Sequence, residues 1–219
     1  MTSENKRIAR QRHRERAEGF PVEFVVEEED FVTVVYHKLR EGEGEGDYFG
    51  FRTYRIKDGD VVEEWSNDVP GLCAAGVRRA AAGRVPAQIG VGRPSINKLR
   101  VSDFYRCVFD AHNPDAVRDF VAEEYLQHSR HLPPGRAGLM ALVAETFPDG
   151  PIPTSDEPSI PPSILMGEGD LVVIAGALPQ PDGDGGTYLR YLYDAYRVRD
   201  GYLCEHWSGI DPNHRPVMP

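Results

Sequence analysis

The chain has few cysteines. Cys73, Cys107 and Cys204 are the three among 219 residues, an odd number without a CxxC pair. That excludes a disulfide framework and a cysteine-built zinc module, and it points to a reducing compartment. Long apolar runs are missing as well. Nothing approaches the ~20 residues that span a bilayer, and the N-terminus is polar where a secretory signal would be apolar. The expectation is a cytoplasmic protein with no membrane partner. A phosphate-cradling glycine loop is also absent. The glycine-dense stretch GEGEGD at residues 42–47 is acidic and would repel phosphate. Positive charge is in deficit, with 25 Lys and Arg against 35 Asp and Glu and a net charge of −10, so nucleic acid is not an expected partner. The exception is local: Lys6, Arg7, Arg10, Arg12, Arg14 and Arg16 fall together, on a charged helix expected over residues 3–18.

What the chain does have is strands. Residues 188–198 alternate and are rich in aromatic and β-branched side chains. Asp200-Gly201 then supplies the positive φ of a two-residue turn, and residues 202–210 return. Residues 22–27, 31–39, 48–57 and 61–67 read as strands too, with a second hairpin turn at Lys57-Asp58-Gly59-Asp60. The two sets repeat. TYRIKDGDVVEEWSNDVP resembles AYRVRDGYLCEHWSGIDP, so that Tyr54 and Tyr196, Gly59 and Gly201, and Trp65 and Trp207 each stand 142 positions apart. The period is too long for a solenoid and implies a duplicated unit.

The copies are unequal. A Gly/Ala/Pro-containing linker covers residues 71–97, with a short helix expected at 73–82. Helices are then expected at 101–111, at 116–121 behind an Asn113 cap and Pro114, and at 136–146. A short extended piece falls at 124–128. A loop holding six prolines spans 148–162, and strands follow at 163–166 and 171–178.

The segment DFYRCVFDAHNPDAVRDFVAEEYLQHSRHLPPGRAGLMAL, followed by GEGDLVVI and YDAYRVRDGYLCEHW, resembles the SnoaL-like polyketide cyclase family over about residues 100–212. This family belongs to the nuclear transport factor 2-like superfamily, with ketosteroid isomerases, scytalone dehydratase and limonene epoxide hydrolase as relatives. The resemblance implies an α+β fold: a curved antiparallel sheet wrapped by helices into a cone, here preceded by a half-copy of the same sheet. The domains expected are a partial copy with a basic helix at 1–70, the linker at 71–97 and a complete SnoaL-like domain at 98–219. The half-copy, lacking the three helices, would need its bare face covered. It is expected to pack on the second sheet as a built-in partner, with Trp65 and Trp207 near the seam, and the basic helix, or else a second chain, is expected to cover part of its other face.

The candidate site follows from the residues and the resemblance together. Asp194 is an acid on an apolar strand face, where a carboxylate is costly without a partner, and it falls where the family's strand motif places its acid. Arg190 nearby is the competing partner. The matching position in the first copy is Arg52, which cannot be such an acid. His128 matches the region where relatives place a base or a pocket-lining polar group. By period two, His206 shares a face with Cys204, Ser208 and Ile210, opposite Glu205 and Trp207. Asp194, His128 and His206 are the catalytic candidates. Tyr105, Tyr125, Tyr196 and Ser208 are the substrate-binding candidates. His128 and His131 have HxxH spacing but no further ligands, so no metal is expected, and no cofactor. The function implied is a cofactor-independent acid/base enzyme of secondary, polyketide-type metabolism. It would cyclise, isomerise or open a hydrophobic small molecule in an aromatic-lined pocket. A homodimer is compatible with this. The alternative is a non-catalytic small-molecule-binding or assembly module of the same fold.

Overall fold

The computed structural model describes residues 2–16, 20–40, 46–69, 77–79, 86–182 and 184–217. Two sheets carry the fold. In the first, β1 (Val22–Glu28), β2 (Phe31–Arg40), β3 (Gly46–Lys57) and β4 (Asp60–Ser66) run antiparallel in chain order. A three-residue strand, β5 (Val77–Arg79), pairs with Lys38–Arg40 at the far end of β2. The helix expected at 73–82 falls largely outside the described residues. Its described part is this strand, because the end of β2 offers free backbone groups that a short helix could not use.

The second sheet has the order β6 (Val121–Gln127), β10 (Tyr202–Ser208), β9 (Thr187–Arg199), β8 (Leu171–Pro181) and β7 (Pro162–Glu168). All its pairs are antiparallel except β6 with β10. The turns are the ones the sequence asks for. Asp58 and Gly59 have φ of 52° and 86°, and Asp200 and Gly201 have 51° and 80°, the doubly positive pair that suits strand twist.

Helices close the concave face of the second sheet. α2 (Pro94–Phe104) starts earlier than expected because Pro94 sits in its first turn, where a missing N–H costs nothing. It runs on into a π-helical turn, Tyr105–Asp110. α3 (Val117–Phe120) and α4 (Gly135–Thr146) follow. Val101, Phe104, Val108, Phe120, Leu139 and Val143 meet Val172, Ile174, Tyr196, Val198 and Leu203 in one apolar core inside this cone. Among the described residues no helix is long and apolar enough to cross a membrane.

The convex faces of the two sheets pack on each other. Phe24, Val26, Val35, Phe49 and Phe51 of the first bury against Ile164, Met166, Leu171, Val173, Tyr193, Ala195 and Trp207 of the second. Trp207 lies edge-on to Phe24 at 4.9 Å, and Trp65 packs at the margin beside Phe31. Polar groups inside the seam are paired. Asn67 accepts from the Phe51 N–H and donates to Phe49 O and Gly209 O, and the Tyr193 hydroxyl donates to Thr53 Oγ1.

The contacts at one end of the seam are reciprocal. Glu168 accepts from the Glu27 N–H at 2.7 Å and Glu28 accepts from the Gly167 N–H at 2.9 Å. Lys6 of α1 (Glu4–Arg16) pairs with Glu168, and Lys98 of α2 pairs with Glu28. Each sheet thus supplies one glutamate to a backbone N–H of the other. α1 lies over the remaining face of the first sheet. There Ala9 is buried with Val25, Val32, Val34, Tyr54 and Ile56.

Candidate active site

Period two along β9 sends Tyr193, Ala195 and Arg197 to the seam, and Asp194, Tyr196 and Val198 into the cone. β10 obeys the same rule only after a bulge. Leu203 pairs with Val198 but Glu205 pairs with Arg197, so Cys204 is the extra residue. The face shared with His206 is therefore completed by Leu203, where the sequence pattern had put Cys204. A bulge adds one residue without a compositional signature, and strict alternation fails across it. Glu205 and Trp207 point the other way, as expected.

Inside the cone, four polar side chains meet. His206 Nε2 lies 3.0 Å from Asp194 Oδ1, and the Tyr105 hydroxyl donates to Asp194 Oδ2 at 2.8 Å. The hydroxyls of Tyr105 and Tyr196 are 2.9 Å apart. The Asp194 side chain is 18% exposed and that of His206 is 9% exposed. Three separate elements build this cluster. Asp194 and Tyr196 come from β9, His206 from β10, and Tyr105 from the first residue of the π-helical turn. Wider turns of this kind recur at functional sites because they re-aim a helix side chain.

The surroundings are aromatic. His206 stacks on Tyr196 with centroids 4.7 Å apart and planes at 14°, and Tyr125 lies beyond at 6.2 Å and 13°. Phe104 and Phe109 meet Tyr105 edge-on and tilted. Burial drives the phenols of Tyr105, Tyr125 and Tyr196 well above their ordinary value. The Asp194 carboxylate adds to this in all three, and Tyr105 adds to it in Tyr196. They are thus neutral hydrogen-bonding groups at any physiological pH, set around one carboxylate.

Arg190 does not compete for that carboxylate; its guanidinium donates to the backbone oxygen of His214. His128 is not at the cluster. Its ring stacks on Trp207 at 4.4 Å and its Nε2 is 2.9 Å from Glu205 Oε2, on the seam side of β10. The physical reason is that β6 runs parallel to β10, and the chain turns away after Gln127, which takes the place beside His206. Glu205 in turn pairs with Arg197, and Arg197 with the buried Asp170. Burial opposes the charge on Glu205, but His128 and Arg197 outweigh it and hold the carboxyl below its usual range. Ser208 sits opposite Asp194 in register, and its hydroxyl accepts from the Ile210 N–H.

A surface cleft of about 720 Å³ lies elsewhere, between Arg93, Ile96 and Arg100 of the α2 region and Arg199–Gly201 at the β9–β10 turn. It shares no residue with the Asp194 cluster. Among the described residues, no group of three or more His, Cys, Asp or Glu is placed to hold a metal ion.

One residue of the cluster's surroundings escaped the sequence reading: Gln127, whose amide reaches His206. The signal was the QH pair in YLQHS, read there for its histidine.

Residues 101–206 match the sequence family described as the SnoaL-like domain. These residues are a SnoaL-like domain. No curated protein sequence matches the chain. Among solved structures, TsrD from Streptomyces laurentii is similar at 18% identity, covering 52% of this chain and 87% of that one, with a TM-score of 0.38. A protein assigned as a polyketide cyclase from Acidithiobacillus ferrooxidans is similar at 17% identity, covering 51% and 85%, with a TM-score of 0.36. A nuclear transport factor 2-like protein from Burkholderia pseudomallei is similar at 12% identity, covering 54% and 92%, with a TM-score of 0.37. At such identities the chemistry of the SnoaL-like domain has to be argued from its own side chains. The architecture is α+β, a nuclear transport factor 2-like cone preceded by a sheet that fits a half-copy of it.

Proposed function

We propose that the SnoaL-like domain is a cofactor-independent acid/base enzyme acting on a hydrophobic small molecule, with intramolecular aldol-type cyclisation as the leading reaction. The observation that carries this reading is Asp194: a carboxylate inside an apolar, aromatic cone, held by Tyr105 and His206 and not neutralised by an arginine. A positioned carboxylate can take a proton from a carbon next to a carbonyl. The resulting enolate carbon attacks a second carbonyl of the same molecule. One C–C bond forms, and the proton held by Asp194 goes to the new alkoxide, so no oxidant or cofactor is consumed. The neutral phenols of Tyr105 and Tyr196 are available to hydrogen-bond oxygen as it gains charge. The aromatic walls would fold a flexible substrate into reactive geometry. Isomerisation or epoxide opening would use the same groups.

Mass spectrometry of small molecules that co-purify with the protein identifies the substrate class. Turnover of that compound by wild-type and Asp194→Asn protein then decides the reading. Tight binding with full turnover in the variant removes Asp194 from the chemistry. Binding without turnover by either protein leaves the non-catalytic module.

The same reading divides the chain at 1–70, 71–97 and 98–219, with the first part a built-in partner of the catalytic part; because α2 begins at Pro94, the catalytic part also takes in the last residues of the linker. Besides the reciprocal glutamates, a short recurrence supports it. Ser3-Glu4-Asn5-Lys6 opens α1, and Ser95-Ile96-Asn97-Lys98 falls in the first turns of α2. The two lysines make the equivalent cross-seam ion pairs.

A further inference from the structure

The protonation pattern of His206 follows from a backbone amide two residues beyond Gln127. The Ser129 N–H donates to Gln127 Oε1 at 3.1 Å. A backbone N–H can only donate, so that end of the Gln127 side chain is its oxygen and the other end is its NH2. The NH2 lies 2.8 Å from His206 Nδ1. An amide NH2 can only donate, so Nδ1 must present its lone pair. The proton of the neutral ring then sits on Nε2, which faces Asp194 Oδ1 at 3.0 Å. A doubly protonated ring would set an N–H against the amide NH2 at that same contact. Rotating the ring is opposed by Tyr196, stacked on one face at 4.7 Å, and by Tyr125 beyond.

We propose that Gln127 is a positioning residue: it locks His206 as the neutral Nε2–H tautomer, so that the histidine is a hydrogen-bond donor to Asp194 and not itself a base. This rests on the reading of Asp194 as the proton-transferring group, and it sharpens it. The Asp194–His206 pair then works with one base. Asp194 receives two hydrogen bonds, from His206 Nε2–H on Oδ1 and from the Tyr105 hydroxyl on Oδ2. With the Tyr105 proton so committed, its oxygen is free to accept from Tyr196. The chain of donors therefore has a direction: Ser129 N–H to Gln127, Gln127 to His206, His206 to Asp194, with Tyr196 to Tyr105 to Asp194 from the other side. The groups facing the imidazole are Asp194 and Tyr196 from β9, Tyr125 and Gln127 from β6, and Tyr105 from the π-helical turn. None supplies an acceptor to Nδ1.

The test needs no substrate. The full-length protein is labelled with ¹⁵N-histidine, and the ring of His206 is assigned by the signal lost in His206→Asn. Two-bond ¹H–¹⁵N spectra at pH 8 report which nitrogen carries the proton. The expected result is the Nε2–H tautomer in the wild type. In Gln127→Glu, one carboxylate oxygen keeps the Ser129 N–H and the other faces Nδ1, so a proton is expected on Nδ1. A wild-type ring protonated on Nδ1 overturns the proposal, as does an identical pattern in wild type and Gln127→Glu. If the variant fails to fold, the wild-type spectrum alone decides. Because turnover is not read, the outcome is separate from that of Asp194→Asn. A locked tautomer beside a dispensable Asp194 would sink the enzymatic reading and leave the positioning intact.

Discussion

Asp194 and Arg52 hold the same station on two sheets. Asp194 faces Ser208 across β9–β10, and Arg52 faces Ser66 across β3–β4. Tyr196 faces His206, and Tyr54 faces Glu64. Even the bulge recurs, since Ile56 pairs with Val61 and Arg55 with Glu63, which leaves Val62 as the extra residue where the second sheet has Cys204. The backbones agree in detail: the Ile56 N–H donates to Asp30 O at 2.7 Å and the Val198 N–H to Asp170 O at 2.8 Å. The side chains do not agree. Arg52 is closed in by Glu64 at 2.5 Å and by Asp68, which also pairs with Lys38. Asp194 is met by His206 and Tyr105, with no arginine or lysine among the described residues at its carboxylate. One face carries an ion-pair cluster at this station; the other carries a carboxylate held by a histidine and a tyrosine. The covering differs too. The first face lies under the single helix α1, and the second under α2, its π-helical turn, α3 and α4.

The largest effect that would test this contrast is on turnover. Asp194→Asn is expected to lose activity by about 10²–10⁴-fold, the usual share of a positioned acid/base group, while the far-ultraviolet spectrum and unfolding midpoint stay near wild type. Arg52→Met should behave in the opposite way and keep turnover. If Arg52→Met abolishes activity and Asp194→Asn does not, the roles of the two faces have been reversed.

Next in size is the seam. Trp207 is fully buried between the sheets, so Trp207→Ala should cost about 3–5 kcal/mol, read from urea unfolding. Residues 98–219 expressed alone would expose Ile164, Met166, Val173 and Tyr193. They are expected to aggregate or to dimerise through that face on a sizing column. A monomeric fragment as stable as the full chain would show that the first sheet is not a structural partner.

Arg52→Met itself should be a smaller loss. It leaves Glu64 half-buried without its partner, at a cost of about 2–3 kcal/mol for a charged hydrogen bond. Unfolding midpoints of Arg52→Met, Glu64→Leu and the double variant would separate the pair from its surroundings, with the double variant expected to recover part of the loss.

The smallest effect is a pH dependence confined to the first sheet. His13 of α1 is 1% exposed, near Phe20 O at 3.1 Å and the Tyr36 ring at 4.6 Å. Burial lowers its basicity below the ordinary 6.5, with the Phe20 carbonyl opposing and Arg52, Arg10 and Arg14 adding to the lowering. The native ring resists a proton that the unfolded chain accepts. Stability from this group is therefore unaffected above about pH 6.5 and falls as the pH drops below it. His13→Leu should flatten unfolding midpoints between pH 8 and pH 5. A slope unchanged in that variant would assign it to other groups.

Much of this was legible in the residues. Aromatic and β-branched alternation marked the strands, and the Asp-Gly turns and the 142-residue spacing marked both hairpins. An acid on an apolar strand face marked Asp194. What escaped depended on pairings between distant segments. The parallel contact of β6 with β10 decides that Gln127, not His128, stands beside His206, and no local pattern encodes it. The bulge at Cys204 moved one residue across the sheet. The short recurrence between α1 and α2 was hidden because most of their positions differ. Only Ser, Asn, Lys and the buried small residue, Ala9 in one and Val101 in the other, keep step.

Both faces of the seam belong to one polypeptide. An interface between separate subunits is lost on dilution, because the concentration of the dimer follows the square of that of the free subunit. Here the two sheets are joined by the chain itself, so that their meeting does not depend on how much protein is present. The contact between the sheets should therefore survive dilution, read as an unfolding midpoint independent of protein concentration. Substitutions on one sheet also need not be matched on the other, as they must be when two identical subunits meet. That freedom is what permits an arginine and an aspartate at the same station in a single molecule.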